Sequence, residues 1–185
     1  INDTTVVLSL TFAQFSEAGD WQIDRVFLRD QVGNNTWIYT DTLTALGFPT
    51  DLHVISVSDE SPPMIQSLTF SPDTINTVNS SQTVATTIRV TDDLSGIKRV
   101  YIYFRSPSGT DISATFQTGT LLINDTTIVI NSTFAQFSEA GDWYIYRVYL
   151  QDQAGNSTSI FTDSFTALGF PTDLHVISVS DVSPP

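Results

Sequence analysis

The chain repeats itself with a period of 122 residues. The segment INDTTVVLSLTFAQFSEAGDW, which begins at Ile1, returns as INDTTIVINSTFAQFSEAGDW from Ile123, and TALGFPTDLHVISVSD from Thr44 returns unchanged from Thr166. Of the 63 positions that align at this offset, 48 are identical. A fixed period of this kind is the sequence signature of an array of similar structural units, so it constrains the fold more than any single motif does.

Paired prolines mark the junction between the units. Pro62 and Pro63 end the string SDESPP, and the equivalent string at the end of the sequence is SDVSPP. Because proline has no backbone N–H to extend a strand ladder, two in succession predict a short, stiff connector. We therefore predict that residues 64–185 form one complete repeat and residues 1–63 the second half of a preceding one. The partners are then neighbouring repeats, head to tail, in the same longer chain or in an identical chain that supplies the missing half.

Alternating hydrophobicity predicts an all-β fold for the complete repeat. In Thr83–Thr91, for example, Val84, Ile88 and Val90 share one face with Thr86. In Ile97–Arg105 the core-facing residues are Val100, Ile102 and Phe104, and the outward-facing ones are Arg99, Tyr101, Tyr103 and Arg105. Turn signals every 8 to 15 residues, without sustained helical periodicity, favour a two-sheet sandwich with Greek-key connections of the immunoglobulin-like type. The predicted strands are Ile65–Phe70, Thr83–Thr91, Ile97–Arg105, Ile112–Gln117, Thr126–Asn131, Trp143–Gln151, Ser157–Thr162 and Leu174–Val179.

One predicted strand requires a bulge. Trp143 and Ile145 have one parity along the strand and Val148 and Leu150 the other, yet all four are identical in the first copy. An extra residue near Arg147 would bring all four into the core. The positions that differ between the copies should face solvent; these are Tyr144, Tyr146, Tyr149 and Gln151.

Three strings in the complete repeat carry a resemblance to known modules: TDDLSGIKRVYIYFRSPSG, YLQDQAGN and the SPP junction. They resemble the tandem immunoglobulin-like repeats of large bacterial and cyanobacterial surface and secreted proteins. The resemblance covers residues 64–185 and their echo in residues 1–63. It implies an extracellular or cell-surface location and a role as a spacer, stalk, adhesin shaft or fibre subunit, although a fold does not carry its function with it.

Composition excludes several kinds of partner and chemistry. The net charge is −13 with seven Lys and Arg residues, which argues against nucleic acid or an anionic membrane surface as a partner. The chain has no cysteine, so disulfides, thiolate nucleophiles and Cys-ligated zinc are ruled out. No apolar stretch approaches the roughly 20 residues that a membrane span needs. His53 and His175 occupy the same repeat position without a triad-type arrangement nearby, and we predict no enzyme activity.

Asparagine sequons are frequent. Six of the eight asparagines begin an Asn-X-Ser/Thr string, which makes them candidates for N-linked glycans; alternatively, Asn, Ser and Thr simply suit turns. The outward tyrosines offer flat faces on which sugar rings can pack, although aromatic residues are also good strand formers on either face. The candidate glycosylation sites are Asn2, Asn34, Asn79, Asn124, Asn131 and Asn156.

Aspartates in two predicted turns suggest a calcium site at one end of the sandwich. Asp92 and Asp93 lie in one turn and Asp152 in another, and Asp30 is the first-copy counterpart of Asp152. Carboxylates supply the hard oxygen ligands that Ca²⁺ prefers, although turn aspartates more commonly cap backbone N–H groups. We expect no required cofactor, with calcium as the one candidate.

These observations predict an extracellular structural module, a glycosylated repeat unit of a long fibre, stalk or surface filament. The alternative is an adhesin-type domain that recognises carbohydrate or protein through loops at one end.

Overall fold

The computed structural model describes residues 5–119 and 124–179. Strands make up 51% of the structure and helices 7%, so the predicted all-β class is confirmed. The chain consists of two compact units, Ile1–Ser58 and Asp59–Pro185. Residues 59–63 therefore group with the second unit, whereas the sequence boundary was placed after Pro63. None of the described helices has the length and apolar character needed to cross a membrane.

The first unit consists, in its described part, of two small antiparallel sheets and a short helix. Strand β1 pairs with β4, and β2 pairs with β3. Their apolar side chains remain open to solvent: Trp21 is 39% exposed and Leu52 is 49% exposed. The elements are β1 (Gly19–Gln22), β2 (Arg25–Arg29), β3 (Asn35–Tyr39), α1 (Thr40–Ala45) and β4 (Asp51–Val54).

The second unit contains two larger sheets. One has the strand order β10-β7-β5, and the other has the order β6-β13-β11-β8-β9, with β12 paired to β11. The elements are β5 (Met64–Ser71), β6 (Thr74–Asn76), β7 (Gln82–Thr91), β8 (Ile97–Arg105), β9 (Asp111–Gln117), β10 (Asp125–Phe134), β11 (Gly141–Asp152), β12 (Ser157–Phe161), α2 (Thr162–Ala167) and β13 (Asp173–Ile177).

A single apolar core joins these two sheets. It takes Leu68, Ile88 and Ile130 from the three-stranded sheet and Phe104 and Leu174 from the larger one. The alternation predicted for β7 and β8 is confirmed. All of the side chains predicted to face inward there are fully buried: Val84, Thr86, Ile88, Val90, Val100, Ile102 and Phe104.

The predicted bulge in β11 is confirmed. The register between β11 and β8 shifts between Ile145 and Arg147, so residue parity changes at that point. As a result Trp143, Ile145, Val148 and Leu150 are all buried. The positions that differ between the copies lie on the outer face of this sheet and are half-buried there. Tyr149 packs against Tyr101, and Tyr146 packs against Phe161.

The structure differs from the sequence prediction in helix α2, in strand β6 and in several strand ends. Thr162, predicted as the end of a strand, begins helix α2, which brings Phe165 into the core. Six residues are too few for a helical period to stand out in a sequence. Strand β6 has three residues and was not predicted, and β13 ends at Ile177 before the predicted Val179.

The two ends of the second unit are distinct. The β7–β8 loop and the β11–β12 turn lie at one end, here called the proximal end, together with the start of β5. The β8–β9 and β10–β11 loops lie at the opposite, distal end. Strand β13 runs antiparallel to β11 and finishes opposite Gly141, at the distal end. The chain therefore enters the unit at its proximal end and leaves at its distal end.

Candidate functional site

Three carboxylates meet at the proximal end of the second unit. One carboxylate oxygen from each of Asp59, Asp92 and Asp93 lies within 4.8 Å of the other two. Asp92 and Asp93 follow β7 directly, and Asp59 precedes β5. The structure thus brings together two of the aspartates predicted as calcium ligands and adds Asp59, which the sequence prediction missed.

Asp59 is fixed by hydrogen bonds from two loops. Its Oδ2 accepts a 2.7 Å bond from the Ser95 N–H, and its Oδ1 accepts a 3.1 Å bond from the Ser61 N–H. Asp59 is only 7% exposed. Burial by itself would raise the pKa of this carboxyl, but the bonds from Ser95 and Ser61 together outweigh it and hold the pKa below its usual range. Asp59 therefore remains ionised.

Asp92 is less well satisfied. Its Oδ2 accepts bonds from the N–H groups of Leu94 and Gly96, at 3.2 and 2.6 Å. Its Oδ1 is buried and accepts no hydrogen bond from any described residue. Burial, and to a smaller degree the negative charges of Asp59 and Asp152, raise the pKa of Asp92. A buried oxygen with no donor is unusual in a folded protein, and a cation beside it would supply the missing interaction.

A cavity of about 230 Å³ opens beside this cluster. Asp92 and Asp93 line it together with Ser61, Met64 and Thr91. Asp93 is exposed, so the cluster is reached directly from solvent. The arrangement offers oxygen ligands and access, which are the features that a hard divalent cation such as Ca²⁺ requires.

The other two predicted calcium ligands cap turns. Both oxygens of Asp152 are engaged, since Oδ1 accepts from the N–H groups of Gly155 and Asn156 and Oδ2 accepts from Asn156 Nδ2. Asp152 is fully buried beside the cluster without being one of its three members. Asp30 lies in the first unit, where Asn34 is the main cause of its lowered pKa. Asp30 accepts hydrogen bonds from the backbone N–H and Nδ2 of Asn34, and so caps its turn as Asp152 does.

The candidate glycosylation sites differ in what their side-chain amides contact. Asn79 lies in an exposed loop between β6 and β7, and Asn131 is exposed in the middle of β10. Asn124 is also exposed, before β10, with a 3.5 Å contact to the Leu94 carbonyl. Asn2 lies outside the described residues.

The two remaining sequons have engaged amides. Asn156 Nδ2 donates to the Asp59 carbonyl and to Asp152 Oδ2, at 2.8 Å in each case. Asn34 Nδ2 donates to Asp30 Oδ2 at 2.7 Å. A glycan on either nitrogen would replace donors that hold a turn together.

The two histidines form the same surface pair in both units. Nδ1 of His175 lies 2.7 Å from Asp142 Oδ1, directly across the β11–β13 ladder, and His53 lies 2.6 Å from Asp20 in the same register. All four side chains are more than half exposed. Opposite-charge or polar pairs in this position are an ordinary cross-strand contact.

A comparison of the two copies could have indicated Asp59 as a site residue. Asp59 and Asp181 are the same repeat position and are identical, whereas the next position changes from Glu60 to Val182. The contacts of Asp59 with Ser95 and Asn156 span 36 and 97 residues, so no local motif revealed them. Assigning the SDESPP string to a connector concealed that its aspartate belongs to the following unit.

No curated protein matches this chain. The family model described as Domain of unknown function (DUF7035) matches residues 58–175, which is more than half of the chain and nearly all of the second unit. The match begins one residue before Asp59 and ends in β13. The chain therefore belongs to the DUF7035 family.

Proposed function

We propose that this chain is an extracellular structural module, a repeat unit of a long fibre, stalk or surface filament. Each unit is an immunoglobulin-like, Greek-key sandwich, and units follow one another head to tail without catalysis. The observation that carries the proposal is the path of the chain through the second unit, in at the proximal end and out at the distal end. Because the chain enters and leaves such a unit at opposite ends, each added repeat lengthens the molecule.

The internal repeat supports the same proposal. In the first unit Gly19 pairs with Val54 and Arg25 pairs with Tyr39, and at an offset of 122 residues Gly141 pairs with Val176 and Arg147 with Phe161. Helices α1 and α2 are related by the same offset. Equivalent segments thus take up equivalent local pairings, as units of an array must.

The test is the length of a concatemer. Proteins with one, two and three tandem copies of residues 59–180 should lengthen by a constant increment in small-angle scattering. The nine residues of β8 make that increment at least about 30 Å. A maximum dimension that stays constant, or that grows only as the cube root of mass, would show that the units do not form a rod.

We also propose that the Asp59, Asp92 and Asp93 cluster takes calcium. The support is the buried Asp92 Oδ1 without a donor among the described residues, next to the buried Asp59 carboxylate and the exposed Asp93 carboxylate. Ca²⁺ uses six to eight oxygen ligands, so water and nearby backbone carbonyls would complete the shell. Bound calcium would fasten the segment before β5 to the β7–β8 loop and so stiffen the start of each unit.

Calcium binding predicts a change in thermal stability. Millimolar Ca²⁺ should raise the unfolding temperature of the parent chain relative to EDTA, because a ligand that binds only the folded state stabilises it. Asp92→Asn should abolish the shift, and Asp30→Asn, in the first unit, should leave it intact. Equal unfolding temperatures of the parent in calcium and in EDTA would refute the site.

A further inference from the structure

Arginine and tyrosine side chains gather on the outer face of the β9-β8-β11-β12 sheet of the second unit. Strand register places Tyr101 beside Tyr149 and Tyr103 beside Arg147, so the side chains form rows across the strands. We call this surface the Arg/Tyr face; its principal residues are Arg99, Tyr101, Tyr103, Arg105, Arg147 and Tyr149.

Stacking holds these side chains flat on the sheet. The Arg147 guanidinium lies 4.3 Å from the centroid of the Tyr103 ring, and the Arg105 guanidinium lies 3.3 Å from that of Tyr146. The rings of Tyr101 and Tyr103 are stacked with centroids 6.2 Å apart. Cation–π contacts of this kind fix long side chains in one conformation, so the Arg/Tyr face is preorganised.

The Arg/Tyr face is positive in an otherwise acidic protein. Of the acidic residues in its rows, Asp111 is bound by Arg105 through two hydrogen bonds of 2.7 and 2.8 Å, and Asp173 stands beyond Tyr144. Among the described residues, no carboxylate oxygen lies within 4.0 Å of the guanidinium nitrogens of Arg99 or Arg147. Arg99 and Arg147 therefore form no salt bridge with a described residue, although Arg147 is near enough to Asp111 to help lower the pKa of that carboxyl.

The first unit has the same chemistry at the same place. Arg25, Phe27 and Arg29 lie on the strand equivalent to this part of β11, with the Arg25 guanidinium 4.8 Å from the Trp37 ring and Phe27 4.4 Å from it. Several of these residues differ from their counterparts, yet the combination of arginine and aromatic rings is kept. Five of the six arginines in the chain lie on this face of one unit or the other.

We propose that the Arg/Tyr face binds an acidic polysaccharide, a chain of sugar rings that carry carboxylate groups. Aromatic rings pack against the C–H faces of sugars, and guanidinium groups make paired hydrogen bonds to carboxylates. Hydroxyl groups that suit sugar hydroxyls flank the tyrosines, since Ser113 and Thr115 on β9 and Ser159 on β12 stand in the same rows. This binding is separate from the fibre role and does not depend on it.

The charge pattern favours a polysaccharide over the other polyanions. A nucleic acid binds mainly through contacts between its phosphates and many Lys and Arg residues, and this chain has only seven of these. Protein interfaces are also rich in tyrosine and arginine, but the Ser113, Thr115 and Ser159 hydroxyls in the same rows favour sugar hydroxyls over an apolar protein surface. In an acidic polysaccharide the sugar rings themselves carry the carboxylates, so one ring can contact a tyrosine while its carboxylate meets a neighbouring arginine.

The test is titration of the full chain with polygalacturonate in low salt and EDTA, so that calcium cannot bridge protein and polymer. We expect binding that weakens as salt is added. The double variant Arg99→Gln/Arg147→Gln should bind roughly tenfold or more weakly, because each arginine contributes charge-assisted hydrogen bonds. The control is Arg89→Gln, which removes one positive charge from the other sheet and should bind as the parent does.

Two further polymers distinguish an acidic polysaccharide from a neutral polysaccharide and from an acidic polypeptide. Dextran, which is neutral, should bind at least tenfold more weakly than polygalacturonate if carboxylates are read by the arginines. Poly-L-glutamate should also bind more weakly, since it offers no sugar rings to the tyrosines. Equal binding of dextran, tighter binding of poly-L-glutamate, no binding of polygalacturonate or unchanged binding by a folded Arg99→Gln/Arg147→Gln variant would each overturn the proposal.

Discussion

The side-chain amide of Asn156 donates a 2.8 Å hydrogen bond to the backbone carbonyl of Asp59. The bond joins the β11–β12 turn to the segment that precedes β5, across 97 residues of sequence. The same nitrogen also donates to Asp152 Oδ2, which caps that turn. Asn156 thus links three parts of the proximal end through one amide, and its sequon is embedded in this network.

Removal of this link should destabilise the second unit. In Asn156→Ala the Asp59 carbonyl and Asp152 Oδ2 both lose a donor, and each is part of a buried residue. We expect a loss of about 1–3 kcal/mol in the free energy of unfolding, measured by urea titration. Asn79→Ala, in an exposed loop, should change it by less than about 0.5 kcal/mol. Equal effects of the two substitutions would contradict this account.

Asp92 and Asp111 should show opposite pH dependences. The raised pKa of Asp92 means that its ionised form costs stability, a cost absent below the usual value of 3.8 and present once pH rises through the folded-state pKa. Asp92→Asn should therefore be more stable than the parent at neutral pH in EDTA, and the difference should vanish in acid. Thermal unfolding from pH 3 to pH 7 measures it.

Asp111 provides the contrast. Arg105 lowers its pKa, so Asp111 contributes stability above its usual pKa and loses it as pH falls through the folded-state value. Asp111→Asn should be less stable than the parent at neutral pH and equal to it in strong acid. A variant pair whose stability differences have the same sign at neutral pH would show that the two environments are wrongly assigned.

The sequence predicted what depends on local periodicity and missed what depends on distant contacts. The alternation in β7 and the parity change around Arg147 could be predicted because successive side chains in a strand point to opposite faces, and this gives a local pattern of polar and apolar residues. Helix α2 was not predicted, since its burial rests on Phe165 alone, and β6 was too short for a pattern. Asp59 was missed because its partners come from two loops far along the chain.

The Arg/Tyr face could also be predicted only in part, because its contacts join strands that are distant in the sequence. The outward positions of Tyr101, Tyr103 and Tyr149 followed from parity, and the sequence predicted that they face solvent. Their stacking against arginines required knowing that β8 and β11 are neighbours in a given register. The arginines are scattered in the sequence. They become neighbours only because strands β8 and β11 pair.

Completion of the first unit should bury Trp21. Trp21 is 39% exposed, whereas its counterpart Trp143 is 3% exposed against strands of the same unit. A copy of residues 64–122 placed before residue 1 would supply the equivalent strands. In a Trp37→Phe background, acrylamide should quench Trp21 readily in the parent chain and poorly in the extended one, while Trp143 stays protected in both. Unchanged quenching would mean that the first unit is not completed by those strands.

Glycan occupancy should follow the freedom of the asparagine amide. Nδ2 of Asn79 and Nδ2 of Asn131 donate no hydrogen bond to any described residue, whereas Asn34 and Asn156 donate theirs to aspartates. We expect peptide mass spectrometry of the protein, expressed in a glycosylating host, to find sugar on Asn79 and Asn131. Higher occupancy at Asn156 than at Asn131 would contradict the turn network described above.

The bulge in β11 should depend on one hydroxyl. Thr162 Oγ1 donates to the carbonyls of Ile145 and Tyr146, at 2.9 and 3.3 Å, where the register of β11 shifts. Thr40 makes the same two contacts in the first unit, at 2.6 and 2.9 Å. Thr162→Val leaves the bulge carbonyls without this donor and should cost about 1–2 kcal/mol of unfolding free energy in urea. Thr162→Ser keeps the hydroxyl and should recover most of that loss, whereas an unaffected Val variant together with a destabilised Ser variant would assign the role to the Thr162 methyl group instead.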